Sequence, residues 1–412
     1  MTDFLNKLLP WYQSNARDFP FRRTTDPYLI WLSEVIMQQT RIEQGVPYYN
    51  SFVKVFPTVH DLAGASEEEV LKQWQGLGYY TRARNLHATA NEIVEKYGGR
   101  FPENYENLRE LKGVGDYTAA AIASVCFGQP HPVMDGNVIR FITRHFGITD
   151  AVDLAATKKE IMEVLDELME NVQVLWEVSS ATELLRPTIG LLPKSGKPLT
   201  SSLPRLTLTE ASPSGDPAAV PDATEPSHNP FHPGLFNQAM IEFGATYCVP
   251  RNPNCRECIF NDSCYALKYG MVDKLPLKKQ QQALKSRYFH YLVISVRGKK
   301  GIYFRKRTEN DIWKGLYEFP LIETSKPVTL PRLLNSIEWK QHFGKTPLKI
   351  LSQTGSASHL LSHQKISATF YRLEIEKPSD KFGSLIHPKN IHELPVARII
   401  EKYLETHQTS EL

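Results

Sequence analysis

The sequence predicts a multidomain protein: an all-α body, a Pro-rich disordered insertion inside it, and a separate α+β domain in the C-terminal third. Three observations predict this. Apolar residues recur at helical spacing from Met1 to about Asn171, a proline-dense stretch then erases the pattern, and alternation with a period of two takes over from Tyr288. With 412 residues the chain also exceeds the roughly 250–300 at which one hydrophobic core stops growing.

In the first element, residues 1–171, Trp31, Leu32, Val35 and Ile36 form one helical stripe, and Ile161, Val164, Leu165 and Leu168 form another. Ser66 followed by Glu69 has the pattern of a capping box, and Pro102 closes one helix ahead of the next. The second element, 172–228, is the expected disordered insertion, because the stretch from Pro187 to Pro233 holds ten of the 28 prolines among Ser, Thr and Ala. Helical spacing returns at Leu235, Ala239, Met240 and Phe243, so 229–267 is read as completing the helical domain. Residues 268–287 form a basic linker in which Lys274, Lys278, Lys279, Lys285 and Arg287 suit either a phosphate backbone or plain solvation. The last element, 288–412, shows strands at Tyr288–Val296 and Gly301–Lys306, with more near Ser367–Ile375.

Forty-eight Lys and Arg against 45 Asp and Glu leave a net charge of +3, too small to establish a nucleic-acid partner by itself. No apolar run approaches the roughly 20 residues that span a bilayer, and no secretory leader pattern is present, so a cytoplasmic protein without membrane contact is expected. Four of the five cysteines lie between Cys248 and Cys264, which in a reducing compartment points to a metal or iron–sulfur site over disulfides. The fifth, Cys126, sits between Val125 and Phe127 and reads as a small buried hydrophobe.

Two motifs precede the cysteines. Leu111-Lys112-Gly113-Val114-Gly115 is a Gly-x-Gly hairpin whose glycines allow close backbone approach and whose following helix start offers free N–H groups to a phosphate. A tight helical hairpin needs the same glycines for geometry alone. Some twenty residues on, Pro132 to Arg140 places Asp135 at a loop-to-helix junction, where an Asp also serves as an ordinary N-cap. The cysteines follow as Cys248-x6-Cys255-x2-Cys258-x5-Cys264, and four thiolates hold either zinc or a cubane cluster.

Hairpin, aspartate and cysteines, in that order, resemble the helix-hairpin-helix DNA glycosylase superfamily that includes endonuclease III. The cysteine spacing resembles that family's [4Fe–4S] loop, which implies a non-catalytic cluster held by Cys248, Cys255, Cys258 and Cys264, with Arg251 and Arg256 facing DNA. Within the superfamily, Trp31-Leu32-Ser33-Glu34-Val35-Ile36-Met37-Gln38-Gln39-Thr40 and Gly76-Leu77-Gly78-Tyr79-Tyr80 resemble the MutY-type adenine glycosylases. Spacing alone makes Glu34 a solvated face residue. The resemblance implies instead that Glu34 is a general acid with a raised pKa and that Asp135 stays ionised beside the cationic sugar. It implies support from Tyr117 and Asn137, with Tyr117 standing where bifunctional relatives carry the Schiff-base lysine. The reaction expected is therefore monofunctional hydrolysis of the N-glycosidic bond of adenine opposite 8-oxoguanine or guanine. Gln39, Leu77 and Tyr79 are expected around the opposite base, or as core, and Gly113, Gly115 and Arg140 along the DNA.

Trp313-Lys314-Gly315-Leu316-Tyr317-Glu318-Phe319-Pro320 resembles the start of a MutT/Nudix-like domain, but Leu321–Phe343 lacks the glutamate-rich run that would hold magnesium. The domain is expected to recognise a base without hydrolysing anything. Its Ser362 and His363 match a family Phe-Ser-His turn, with Leu361 where Phe is usual, and Phe21 stands where Trp is usual. A monomer acting on double-stranded DNA with A:8-oxoguanine or A:G mispairs follows. Two alternatives are an endonuclease III-like glycosylase/lyase and an inactive iron–sulfur DNA-binding protein; the first is opposed by Tyr117, the second by the presence of both carboxylates.

Overall fold

The computed structural model describes residues 1–189, 229–278, 284–344, 346–361 and 363–407, with side chains described only to 180 in the first segment. Helices run in the order α1 (Thr2–Asn15), α2 (Pro27–Met37), α3 (Ile42–Val55), α4 (Val59–Gly64), α5 (Glu67–Gln73), α6 (Thr81–Tyr97), α7 (Tyr105–Glu110), α8 (Asp116–Phe127), α9 (Gly136–Phe146), α10 (Ala155–Ile189), α11 (Pro233–Thr246) and α12 (Tyr265–Lys268). They precede a mixed sheet of β1 (Lys285–Val296), β2 (Ile302–Lys306), β3 (Tyr317–Glu318), β4 (Leu321–Thr324), β5 (Leu348–Gln353), β6 (Ala357–Leu360), β7 (Gln364–Ile375) and β8 (Ser384–Ile386). Helices α13 (Leu330–Leu334), α14 (Ile337–Phe343) and α15 (Arg398–Thr406) accompany the sheet. Among the described residues no helix is long and apolar enough to cross a membrane.

Contacts divide the chain into two compact units. The first comprises Met1–Glu34, Pro102–Glu110 and Val114–Lys279. Its core is aromatic: Phe4 stacks on Phe260 at 4.8 Å, and Phe141 meets Phe243 at 4.5 Å. These rings bring α1, α9 and α11 together because each is the buried member of a helical stripe. Close approach of α9 and α11 depends on Gly244, where a Cβ would lie 2.5 Å from the backbone oxygen of Asn137.

Helix α10 runs past residue 172, where disorder was expected to begin, and continues to Ile189. Val172 is fully buried, and the Trp176 ring packs against His232 with centroids 5.6 Å apart, so tertiary packing carries the helix where the sequence pattern fades. Of the expected insertion, residues 190–228 lie outside the described residues.

The second unit comprises Val35–Phe101, Leu111–Gly113 and Gln280–Leu412. The expected capping box is present: Ser66 accepts from the Glu69 N–H and the Glu69 carboxylate accepts from Ser66. In the sheet, β1 and β7 pair in parallel from Lys285↔Gln364 to Val296↔Ile375, and β4, β5, β6 and β8 join antiparallel to their partners. Leu292, Ile294, Trp339, Phe343 and Phe382 are buried over this sheet. The Trp313–Gly315 turn and the C-terminal helix sit on α5 and α6. Lys306 and the Tyr317 hydroxyl both reach Glu68, Arg84 donates to the Lys314 carbonyl at 2.6 Å, and Gln75 donates to Glu401 at 2.6 Å.

Arg287 corrects one expectation. It is a β1 residue, not a solvated linker cation: only 8% exposed, it binds Asp311 and Glu323, each with a closest approach of 2.6 Å. A guanidinium near the start of a paired strand satisfies two carboxylates at once, which a flexible linker would not achieve.

Candidate active site

Glu34 lies on α2 among Trp31, Leu32, Ser33, Val35 and Ile36, all buried, so the helix has no broad solvated face on which to place it. The residue keeps partial contact with solvent while protein surrounds its carboxyl. Burial drives the Glu34 pKa up to about 7; a hydrogen bond with Tyr117 and the charge of Arg22 pull it down, and the nearby Asp135 pushes it up. Tyr117, on the first turn of α8, packs on Ala120, Ala121 and Val133. Its phenol is held far above its ordinary value by burial and by both carboxylates.

Asp135 is the N-cap of α9. One oxygen accepts the N–H groups of Asn137 at 2.8 Å and Val138 at 2.7 Å, and the other accepts the Asn137 amide at 2.8 Å. Burial raises its pKa and these donors oppose the rise without cancelling it, so the carboxyl stays above its ordinary value. The capping geometry and a second role are compatible, because the cap fixes the carboxylate beside Tyr117 and Glu34. Arg140 donates to the carbonyls of Cys248 at 2.7 Å and Gly136 at 3.3 Å, to the Gly244 carbonyl, and to Asn137 Oδ1 at 2.9 Å. Its guanidinium therefore braces Asn137 from inside the protein instead of presenting a free cation.

Glu242 was not singled out from the sequence. On α11 it is fully buried, with Arg17 Nε at 2.6 Å and Arg22 Nη2 at 2.7 Å. Burial alone would raise its pKa, but the two guanidiniums outweigh this and hold it below the usual carboxylate range. The available signal was a Glu between Ile241 and Phe243 on an apolar helix, the same signal that Glu34 gives.

Cys248, Cys255, Cys258 and Cys264 line one recess, partly open to solvent, and none is in a disulfide. Arg144, 3% exposed, donates toward Cys248 Sγ at 3.5 Å and to the Val249 carbonyl at 2.8 Å. Zinc bonds of about 2.3 Å would draw four sulfurs to within about 3.8 Å of one another. Among the described residues no three His, Cys, Asp or Glu side chains converge as such a single-ion site; that the four thiols share one recess is the feature that suits a common bound group. Cys126 is partly buried in α8 with its thiol pushed well up by burial, as an unreactive packing residue requires.

In the hairpin, Gly113 has φ +78° and its Cβ would meet Asn85 at 2.8 Å, while Gly115 is exposed at the start of α8 with open space around it. Gln39 and Tyr79 are exposed and both left-handed, at φ +54° and +47°, whereas Leu77 is buried. His363 is exposed, its carbonyl paired with the Lys285 N–H at 3.1 Å, and Leu360 is 67% exposed. Ser362 lies outside the described residues.

Residues 32–171 match the model of the HhH-GPD superfamily of base excision DNA repair proteins, and residues 290–406 match that of the NUDIX domain. The chain is 29% identical to the adenine DNA glycosylase of Buchnera aphidicola subsp. Schizaphis graminum over 410 residues, covering 98% of each protein. It is 30% identical to the adenine DNA glycosylase of Homo sapiens over 428 aligned residues, covering 91% of this chain and 68% of that one. A likeness that runs through both the helical part and the α+β part, in the same order, makes this chain a member of the adenine DNA glycosylase family.

Proposed function

We propose that the protein hydrolyses the N-glycosidic bond of adenine mispaired with 8-oxoguanine or guanine in double-stranded DNA, without strand cleavage. The observation that carries this is a carboxyl, Glu34, with a pKa of about 7, hydrogen-bonded to Tyr117 and beside an Asp135 held by three donors. In this reading the protonated Glu34 serves as the acid, and Asp135, held by its three donors, serves as the electrostatic stabiliser. The adenine must first leave the base stack to reach them. Glu34 gives its proton to the base as the sugar C1′–N9 bond breaks and its electron pair departs with adenine. Asp135 stabilises the oxocarbenium-like sugar. Water then adds to C1′ and returns a proton to the Glu34 carboxylate. Tyr117 has no amine, so no Schiff base forms at that position, and Asn137, braced by Arg140, orients Asp135.

The four cysteines would hold a [4Fe–4S] cluster, which when bound supplies a rigid cross-link for the 248–264 loop and takes no part in bond cleavage. The loop carries Arg251 and Arg256 at its surface, where both are exposed and suited to phosphate. The exposed His363 turn of the sheet domain is suited to the opposite base. A single-turnover assay on duplexes with A opposite 8-oxoguanine, guanine or thymine tests the reading. Adenine release should be near-abolished by Glu34→Gln and Asp135→Asn, and undiminished release by Asp135→Asn would sink the mechanism.

A further inference from the structure

The exit of α2 and the Gly76–Tyr80 loop are joined by one side chain, Arg82, on the first turn of α6. Its Nη1 donates to the carbonyls of Val35 at 2.8 Å, Ile36 at 3.0 Å and Gln38 at 2.6 Å. Its Nη2 reaches Thr40 Oγ1 and the Gly78 carbonyl, each at 3.4 Å. The guanidinium carbon lies 5.0 Å from the centroid of the Trp74 ring and 5.5 Å from that of the Tyr79 ring, and Nε alone is without a partner.

These contacts are chemically specific. The last carbonyls of a helix have no intrahelical donor, and a cation there also meets the negative end of the helix dipole. Here that cap comes from another helix, and the same guanidinium continues to the neighbouring loop. On either side of it stand Gln39 and Tyr79, both exposed and both with the left-handed backbone that non-glycine residues adopt only where their surroundings impose it. Arg82 supplies that imposition to both loops at once. A lysine would deliver three donors from a point and no plane to lie between two rings.

We propose that Arg82 is a positioning residue that fixes the spacing of the Gln39 and Tyr79 tips, and that this fixed pair drives extrusion of the target adenine from the duplex. The proposal rests on the reading of these tips as facing DNA. Its consequence is a defect confined to opening the base pair, with the chemistry of bond cleavage left to Glu34 and Asp135.

The test compares the full-length wild type with Arg82→Lys, and with Arg82→Gln as a second variant that keeps a planar donor. Single-turnover adenine release is measured on an A:G duplex and on one with adenine opposite an abasic site, where no pair has to be opened. A 2-aminopurine next to the target adenine reports unstacking by fluorescence. The expected loss on A:G exceeds the loss opposite the abasic site at least tenfold in both variants, and the 2-aminopurine rise is largely abolished. Equal losses on the two substrates, or a fluorescence rise like that of the wild type, would overturn the proposal. Failure of the wild type to release adenine from either duplex would instead overturn the functional reading beneath it.

Discussion

Replacing Glu34 by Gln should make the protein more stable as well as inactive, and the gain should depend on pH. The carboxyl titrates at about 7 in the folded chain against 4.5 for an ordinary Glu. Below pH 4.5 both states carry the proton and ionisation adds no penalty to the folded state. Between 4.5 and 7 the unfolded chain releases the proton while the folded chain keeps it, so stability falls as pH rises. Above 7 the full penalty is present, about 3 kcal/mol, since each tenfold difference in proton affinity between the folded and unfolded chain corresponds to about 1.4 kcal/mol. At pH 5.5 only about 1 kcal/mol of it has developed. Glu34→Gln removes an ionisable group while keeping an acceptor for Tyr117, so it should stabilise by up to about 3 kcal/mol at pH 8 and by about 2 kcal/mol less at pH 5.5. Urea unfolding followed by circular dichroism at the two pH values measures this. In the wild type the acid form falls to about one tenth at pH 8, so adenine release should drop roughly tenfold per pH unit above 7. No stabilisation at pH 8, or a rate flat from pH 6 to 8.5, would refute the assignment of a protonated Glu34.

Tyr117→Phe removes a hydrogen bond that lowers the Glu34 pKa, so the alkaline limb of the rate profile should move to higher pH while the rate itself falls. Gly244→Ala puts a Cβ 2.5 Å from the Asn137 carbonyl oxygen, so α9 must shift with Asp135 at its start. The expectation is a loss of about 1–3 kcal/mol in stability and at least tenfold in single-turnover rate. Cys258→Ser should be purified with much less iron and without a cluster's visible absorption, and should unfold at lower urea, as expected where a bound group contributes to folding.

What was legible in the sequence was what repeats locally. The stripe of Trp31, Leu32, Val35 and Ile36 marks α2, and alternation from Tyr288 finds all but the first three residues of β1. Beyond residue 172 the pattern misleads, because Val174 and Val178 are 59% and 61% exposed while Trp176 docks through tertiary contacts that spacing does not encode. Glu34, Tyr117, Asp135 and Asn137 were identified by motif, and the fold brings them together. Arg82 and the Arg17–Glu242–Arg22 group were not identified, since the α2-exit partners of Arg82 lie 42–47 residues away along the chain and Glu242 lies 220–225 residues from its two arginines. The seating of the Trp313–Gly315 turn on α5 and α6 was missed for the same reason: neither a helix start nor a Gly turn announces which distant surface it will meet. Arg287 shows the converse, a residue whose basic neighbours in sequence suggested solvent while β1 placed it between two carboxylates.

The most direct test of hydrolysis without a lyase step is borohydride trapping during turnover of a duplex with adenine opposite 8-oxoguanine. Free adenine, an intact strand until alkali is added, and no covalent protein–DNA adduct are expected. A trapped adduct, with strand cleavage in the absence of alkali, would contradict hydrolysis without a lyase step.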